Sequence, residues 1–278
     1  MTEDQFKARG SSAARPPRII AIANQKGGVG KTTTAINLAT ALAASGERVL
    51  LVDLDPQGNA TTGLGLGRHD RNGGVYAMMV NGANSWTCRP TAVPGLLLLP
   101  AEPDLAGAEI ELVGELRREY RLRDTLRKPG AVPDDLGFIL IDCPPSLGLL
   151  TLNALVAADA VLVPLQCEFF ALEGISHLMR TIERVKQKLN PELTLQGIVL
   201  TMHDRRNNLS DLVASDARGF FADQVYDTVI PRNIRVSEAP SHGKPVILYD
   251  YKSPGAQSYV RLAAEMLRRE RALQSRGV

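Results

Sequence analysis

Three cysteines in 278 residues, Cys88, Cys143 and Cys167, are odd in number and lack C-x-x-C spacing. That excludes a disulfide framework or a cysteine zinc site and fits a reducing compartment. The four histidines are scattered as well. No apolar run approaches the roughly 18 residues of a membrane span, and no signal-like apolar stretch opens the chain, so a cytoplasmic protein is expected. Net charge is small, +2 overall, too little to announce a nucleic-acid binder by itself. The balance is slightly uneven, with twelve Lys/Arg against nine Asp/Glu from His203 to Val278. What remains is a chain 44% hydrophobic and 22% charged, long enough for one large α/β domain. Met1 to Pro17 mixes Ser, Ala, Arg and paired prolines without periodicity and reads as a mobile tail, leaving residues 18–278 as the domain.

The most informative stretch is Ile19 to Thr34, IIAIANQKGGVGKTTT, where an apolar run turns through glycines into a hydroxyl-rich helix start. Gly27, Gly28 and Gly30 let successive N–H groups converge on one anion, and the following helix adds its positive end. Lys31 is then placed for β- and γ-phosphate oxygens and the Thr32 hydroxyl for a bridging Mg²⁺. The segment Lys26 to Thr33, Val29 included, is the predicted nucleotide loop. One departure stands out: the pattern G-x-x-x-x-G-K-[ST] wants glycine at position 25, and this chain has Gln25 followed by Lys26.

Downstream, strand and helix patterns alternate. Arg48 to Val52 reads as a strand ending at Asp53-Leu54-Asp55, and Gly137 to Ile141 as another ending at Asp142-Cys143-Pro144-Pro145-Ser146. Ligands of open parallel sheets bind at such carboxyl ends. A short helix is expected near Val75 to Val80, and a long helical pattern from Asp104 to Lys128, broken or bent near Gly114. Leu195 to Met202 and Val225 to Ile230 read as further strands, and Gly255 to Leu273 as a docked terminal helix. The predicted fold is a doubly wound, mostly parallel sheet flanked by helices, of the P-loop type.

The lysine in K-G-G-V-G-K-T, with LVDLDPQGNATTGLG at Leu51 to Gly65, IDCPPS at Ile141 to Ser146 and IPRNIRVSEAPSHGKP at Ile230 to Pro245, closely resembles the deviant Walker A group, specifically ParA/Soj-type partitioning ATPases. The resemblance covers residues 18 to 270. It implies an Mg²⁺-dependent ATPase in which Lys31 and the loop hold the phosphates, and Thr32, Asp53 and Asp142 serve the metal and its water shell. It assigns the attacking water to Asp55, and Pro231 and Asn233 to the adenine base. Lys26 would cross to the partner's nucleotide in an ATP-dependent homodimer. That dimer would bind double-stranded DNA without sequence preference through Arg206 and Arg235, until a ParB-like protein stimulates hydrolysis. By themselves Pro-x-Asn is a turn and the two arginines are solvated side chains.

Two other classes share this loop chemistry. A membrane-surface ATPase of the MinD type needs bulky apolar anchors on a basic terminal helix, which Gln274 to Val278 lack. An electron carrier of the nitrogenase iron-protein type needs bridging cysteines that form no recognisable motif here. A variant that positions protein clusters shares the same chemistry, so sequence leaves the cargo open.

Overall fold

A computed structural model describes residues 16–82, 86–168 and 171–276. The expected tail lies outside these residues except for Pro16 and Pro17. Seven strands run in chain order as β1 Arg18–Ile22, β2 Val49–Asp53, β3 Arg89–Pro90, β4 Leu96–Leu99, β5 Phe138–Asp142, β6 Ala160–Gln166 and β7 Thr194–Thr201. They form one sheet in the order β3-β4-β2-β5-β1-β6-β7, parallel except for the two-residue β3 at the edge. The helices are α1 Lys31–Ala44, α2 Asn59–Gly63, α3 Leu105–Glu111, α4 Arg121–Leu126 and α5 Leu149–Ala157, then α6 Ala171–Lys188, α7 Asn208–Phe221, α8 Ile234–Glu238, α9 Val246–Tyr249 and α10 Pro254–Arg276.

Strand alternation divides the core between the two faces of the sheet. In β1, Ile19 and Ala21 pack on the side of α5, α6 and α7, whereas Ile20 and Ile22 pack with α1 and α10. All four are buried to 0% exposure, so both faces are covered, as a parallel sheet requires. α1 is wedged between sheet and α10: every residue from Thr34 to Ala43 is buried. The Thr34 hydroxyl meets the Tyr259 hydroxyl of α10 at 3.3 Å, and the Asn37 side chain accepts from Val246 N–H on α9 at 2.8 Å.

One expected strand does not form, and two expected helices are present in altered form, one with its break near Gly114 as anticipated. Val225 to Ile230 runs beside β7 but forms no strand, touching it through the single bridge Ile198–Val225 and isolated hydrogen bonds such as Tyr226 N–H to Ile198 O. The reason is competition: the Asp227 and Thr228 N–H groups donate to the buried Glu265 carboxylate of α10, both at 2.9 Å, and are lost to a ladder. The long pattern from Asp104 to Lys128 is two short helices, α3 and α4, separated around Gly114 and by Arg117 at φ 56°. The helix near Val75 to Val80 is a π-helical turn, Ala77–Asn81.

Candidate active site at the carboxyl edge of the sheet

Three neighbouring strands end level with one another. Ile22 of β1 pairs with Asp142 of β5, and Asp142 pairs with Asp53 of β2, so the loop after β1 and two carboxylates open onto the same edge. The loop is tied down from both sides. The Asn24 side chain donates to Pro164 O on β6 at 2.8 Å and accepts from Lys26 N–H at 3.0 Å. The Thr201 hydroxyl at the end of β7 donates to Val29 O at 2.8 Å. Gly28 and Gly30 sit at φ 76° and 87°, a left-handed geometry that a side chain would strain. Gly30 directly precedes α1, whose first turn carries no acidic residue, so its positive end stays available to an anion.

Lys31, the first residue of α1, is buried, and its Nζ donates to Lys26 O at 3.0 Å. Burial lowers the pKa of its ammonium, opposed by the charges of Asp142 and Asp55 among others. A cation stripped of water so close to a nest of N–H groups gains from a polyanion.

Asp53 is fully buried, accepting from Thr61 N–H at 2.7 Å and the Thr61 hydroxyl at 2.6 Å. Burial pushes its pKa up to about 6 against those hydrogen bonds, with the Asp55 charge adding to the rise. Asp142 is equally buried, and neither carboxylate oxygen has a hydrogen-bond partner of good geometry. Burial, then the neighbouring Asp53, hold its pKa well above the usual range, while the nearby Thr32 hydroxyl pulls it down. Two acidic groups kept from water, one of them unsatisfied, could take a hydrated cation as countercharge. Among the described residues no three His, Cys, Asp or Glu side chains cluster tightly enough to enclose a metal. Mg²⁺ keeps waters and takes one or two carboxylates plus phosphate oxygens, so Asp53 and Asp142 could serve it. Asp55, on the loop beyond Asp53, accepts from Gln57 N–H at 3.0 Å.

Beside the loop lies a cavity of about 300 Å³ bordered by Gly30, Thr33, Pro231 and Asn233. The structure thus brings the two base-contact candidates to the phosphate loop. Asn233 also caps α8 through its side-chain oxygen, accepting from Arg235 N–H at 3.1 Å. The Lys26 Nζ forms a 2.9 Å ion pair with Glu168, which borders the same cavity. Arg206 and Arg235 do not line this cavity, though each adjoins a residue that does, Asp204 and Asn233, and each is engaged by carboxylates. Arg206 grips Asp204 at 2.9 Å, which holds that carboxyl down near about 2, and Arg235 pairs with Glu238 at 3.0 Å and Asp250 at 3.5 Å.

Four contributors escaped the sequence reading: Asn24, Thr61, Glu168 and Thr201. Thr61 lies within the quoted LVDLDPQGNATTGLG run but carries no marker separating it from Thr62. Glu168 is 142 positions from Lys26, and no local pattern could reveal that pairing.

The parallel sheet with its glycine loop, buried lysine and carboxylate pair defines a P-loop nucleotide hydrolase. Comparisons narrow the class. A family profile described as an AAA domain matches residues 17–195. The chromosome partitioning protein ParA of Caulobacter vibrioides is 61% identical over 265 residues, covering 95% of this chain and 99% of that protein. The sporulation initiation inhibitor protein Soj of Bacillus subtilis is 54% identical, covering 90% and 98%. Among solved structures, cobyrinic acid a,c-diamide synthase of Mycobacterium smegmatis, with a bound ATP analogue and magnesium, superposes with a TM-score of 0.79 at 41% identity, covering 92% and 96%. The chain belongs to the ParA/Soj family of chromosome-partitioning ATPases. As a member it is a P-loop ATPase that works with ATP and Mg²⁺. Among the described residues no helix is long and apolar enough to cross a membrane.

Proposed function

We propose that the chain is an ATP-driven DNA-segregation switch. In this reading the ATP-bound protein is a homodimer that holds duplex DNA without sequence preference, and a ParB-like partner stimulates hydrolysis and so releases it. The protein would then reside in the cytoplasm on the nucleoid. The observation that carries the proposal is the division of labour between two lysines. Lys31 is buried at the cradle, whereas Lys26 is about half exposed with its amine on Glu168 at the rim of the same cavity, and would exchange that partner for a nucleotide across an interface. A positive charge between two triphosphates offsets their mutual repulsion, which makes ATP part of the dimer contact.

Within one protomer, the amides of Lys26 to Thr33 and the Lys31 ammonium would hold the phosphates, Pro231 and Asn233 the base, and Thr32, Asp53 and Asp142 the metal and its waters. Bound Mg²⁺ would neutralise the charge that develops on the phosphate oxygens. Asp55 would orient the attacking water; an ordinary carboxylate is a weak base, so its part is positioning more than proton removal. Slow turnover is the expected result, as suits a timer. Arg206 and Arg235 would meet phosphates and not base edges.

The test is binding of a labelled random duplex in ATP against ADP, with mass followed by light scattering. A dimer that forms with ATP and alone retains DNA is expected. Equal DNA binding in both nucleotide states would overturn the switch.

A further inference from the structure

One buried cation is packed against the loop that carries Asp53 and Asp55. Arg71 follows the short turn Arg68–Asp70 and is only 5% exposed, yet it has no ion-pair partner among the described residues. Its Nε is buried and meets no acceptor. Burial lowers the pKa of its guanidinium, and the charge of nearby Asp53 opposes that fall. A guanidinium held out of water without a carboxylate to bind costs the fold stability, so its place there asks for a reason other than stability.

What Arg71 touches is the turn that presents Asp55. Its Nη2 donates to the Thr62 hydroxyl at 2.7 Å, and that hydroxyl donates to Gly58 O at 3.0 Å. Gly58 N–H in turn donates to Asp55 O at 2.8 Å and closes the turn. The other terminal nitrogen, Nη1, lies so close that a Cβ on Gly58 would come within 2.1 Å of it. The Asp55 carboxylate takes only the Gln57 N–H among the described residues, so its direction depends on the backbone of this turn. Two adjacent threonines therefore pin the 53–62 loop. Thr61 holds Asp53 and accepts from Ala101 N–H at 3.0 Å, and Thr62 is held by Arg71.

We infer that Arg71 is a positioning residue for hydrolysis, bracing the Asp55 turn from behind through Thr62 and Gly58. This rests on the reading above that Asp55 orients the attacking water. A planar guanidinium is suited to the task, since one nitrogen can bond Thr62 while the next presses on Gly58, and the fork fixes the distance between the two contacts. Water orientation tolerates little displacement, and a shift of about 1 Å in a positioning group can cost about a hundredfold in rate. The arrangement exchanges some stability for a rigid turn, a trade common where a loop must hold one geometry.

The experiment compares the wild type with Arg71→Met, Arg71→Lys, Asp55→Ala and the double variant Arg71→Met/Asp55→Ala in the full chain. Single-turnover phosphate release, affinity for a fluorescent ATP analogue, melting temperature and amide hydrogen exchange of the 53–62 segment are measured. Arg71→Met should release phosphate about tenfold more slowly with ATP affinity within about twofold of wild type, and Arg71→Lys should recover most of the rate. Exchange should quicken in the 53–62 segment of the nucleotide-free Arg71→Met protein, while the melting temperature stays at or above that of the wild type. In the Asp55→Ala background the Arg71→Met change should slow release no further, because the group it positions is gone. A wild-type rate in Arg71→Met, the same tenfold loss in both backgrounds, or a melting temperature well below wild type would overturn the positioning role, the last by showing a purely structural brace. A normal rate in Asp55→Ala, with Arg71→Met slow, would instead remove the parent reading of Asp55.

Discussion

Asp53 and Asp142 are register partners on adjacent parallel strands, both wholly buried, and one is held by Thr61 while the other has no hydrogen-bond partner of good geometry among the described residues. The pair is costly in the free protein, because two carboxyl groups sharing a dry site resist ionising together. Replacing Asp142 by the near-isosteric Asn should leave the melting temperature of the nucleotide-free protein unchanged or raise it by a few degrees, about 1 kcal/mol. Mg²⁺-dependent phosphate release should fall at least about tenfold. Calorimetry and a phosphate assay read the two effects separately, and full Mg²⁺-dependent turnover would remove Asp142 from the metal site.

Lys31→Ala should lose nucleotide binding, because the glycine loop stays while its buried cation goes. Truncating one partner of a close charge pair costs about 3 kcal/mol, roughly a hundredfold in affinity. Titration with a fluorescent ATP analogue measures it; unchanged affinity would sink the assignment.

Asp55→Ala should bind ATP and dimerise normally yet release phosphate at least about tenfold more slowly, within the usual range for a positioned acid or base group. Single-turnover phosphate release is the appropriate measurement. A normal rate would place the water-orienting group elsewhere.

Lys26→Ala should retain ATP affinity but remain monomeric by light scattering with ATP present. Its ion pair with Glu168 is about half exposed on both sides, so losing that contact should cost the fold little, within about 1 kcal/mol. A stable ATP dimer of this variant would contradict a role across the interface.

The phosphate loop, the positions of Asp53 and Asp142 and the layering of the fold were legible because each depends on short-range pattern: glycine spacing, strand-length apolar runs, and carboxylates where those runs end. Pro231 and Asn233 came from resemblance alone, and the structure sets them by the loop. The Val225 to Ile230 strand was misjudged because its fate rests with Glu265, 37 positions beyond Thr228, whose carboxylate takes the N–H groups a ladder would need. Glu168 and Thr201 were invisible for the same kind of reason, since a hydrogen bond between distant segments leaves no periodicity behind. The pairing of Arg206 and Arg235 with local carboxylates was partly readable, as Asp204 and Glu238 are two and three residues away.

The packing of α1 also bears on how the protein is made. The phosphate loop and α1 occupy the first 44 positions, but much of the cover over α1 comes from Tyr259, Leu262, Ala263 and Met266 of α10. A ribosome-bound chain that stops before residue 254 has the whole glycine loop and nothing from α10 to cover Ala35, Leu38 and Leu42. Such a chain should bind ATP poorly and present an apolar surface to chaperones. Nucleotide binding should therefore arise only after α10 has been made and has docked on α1.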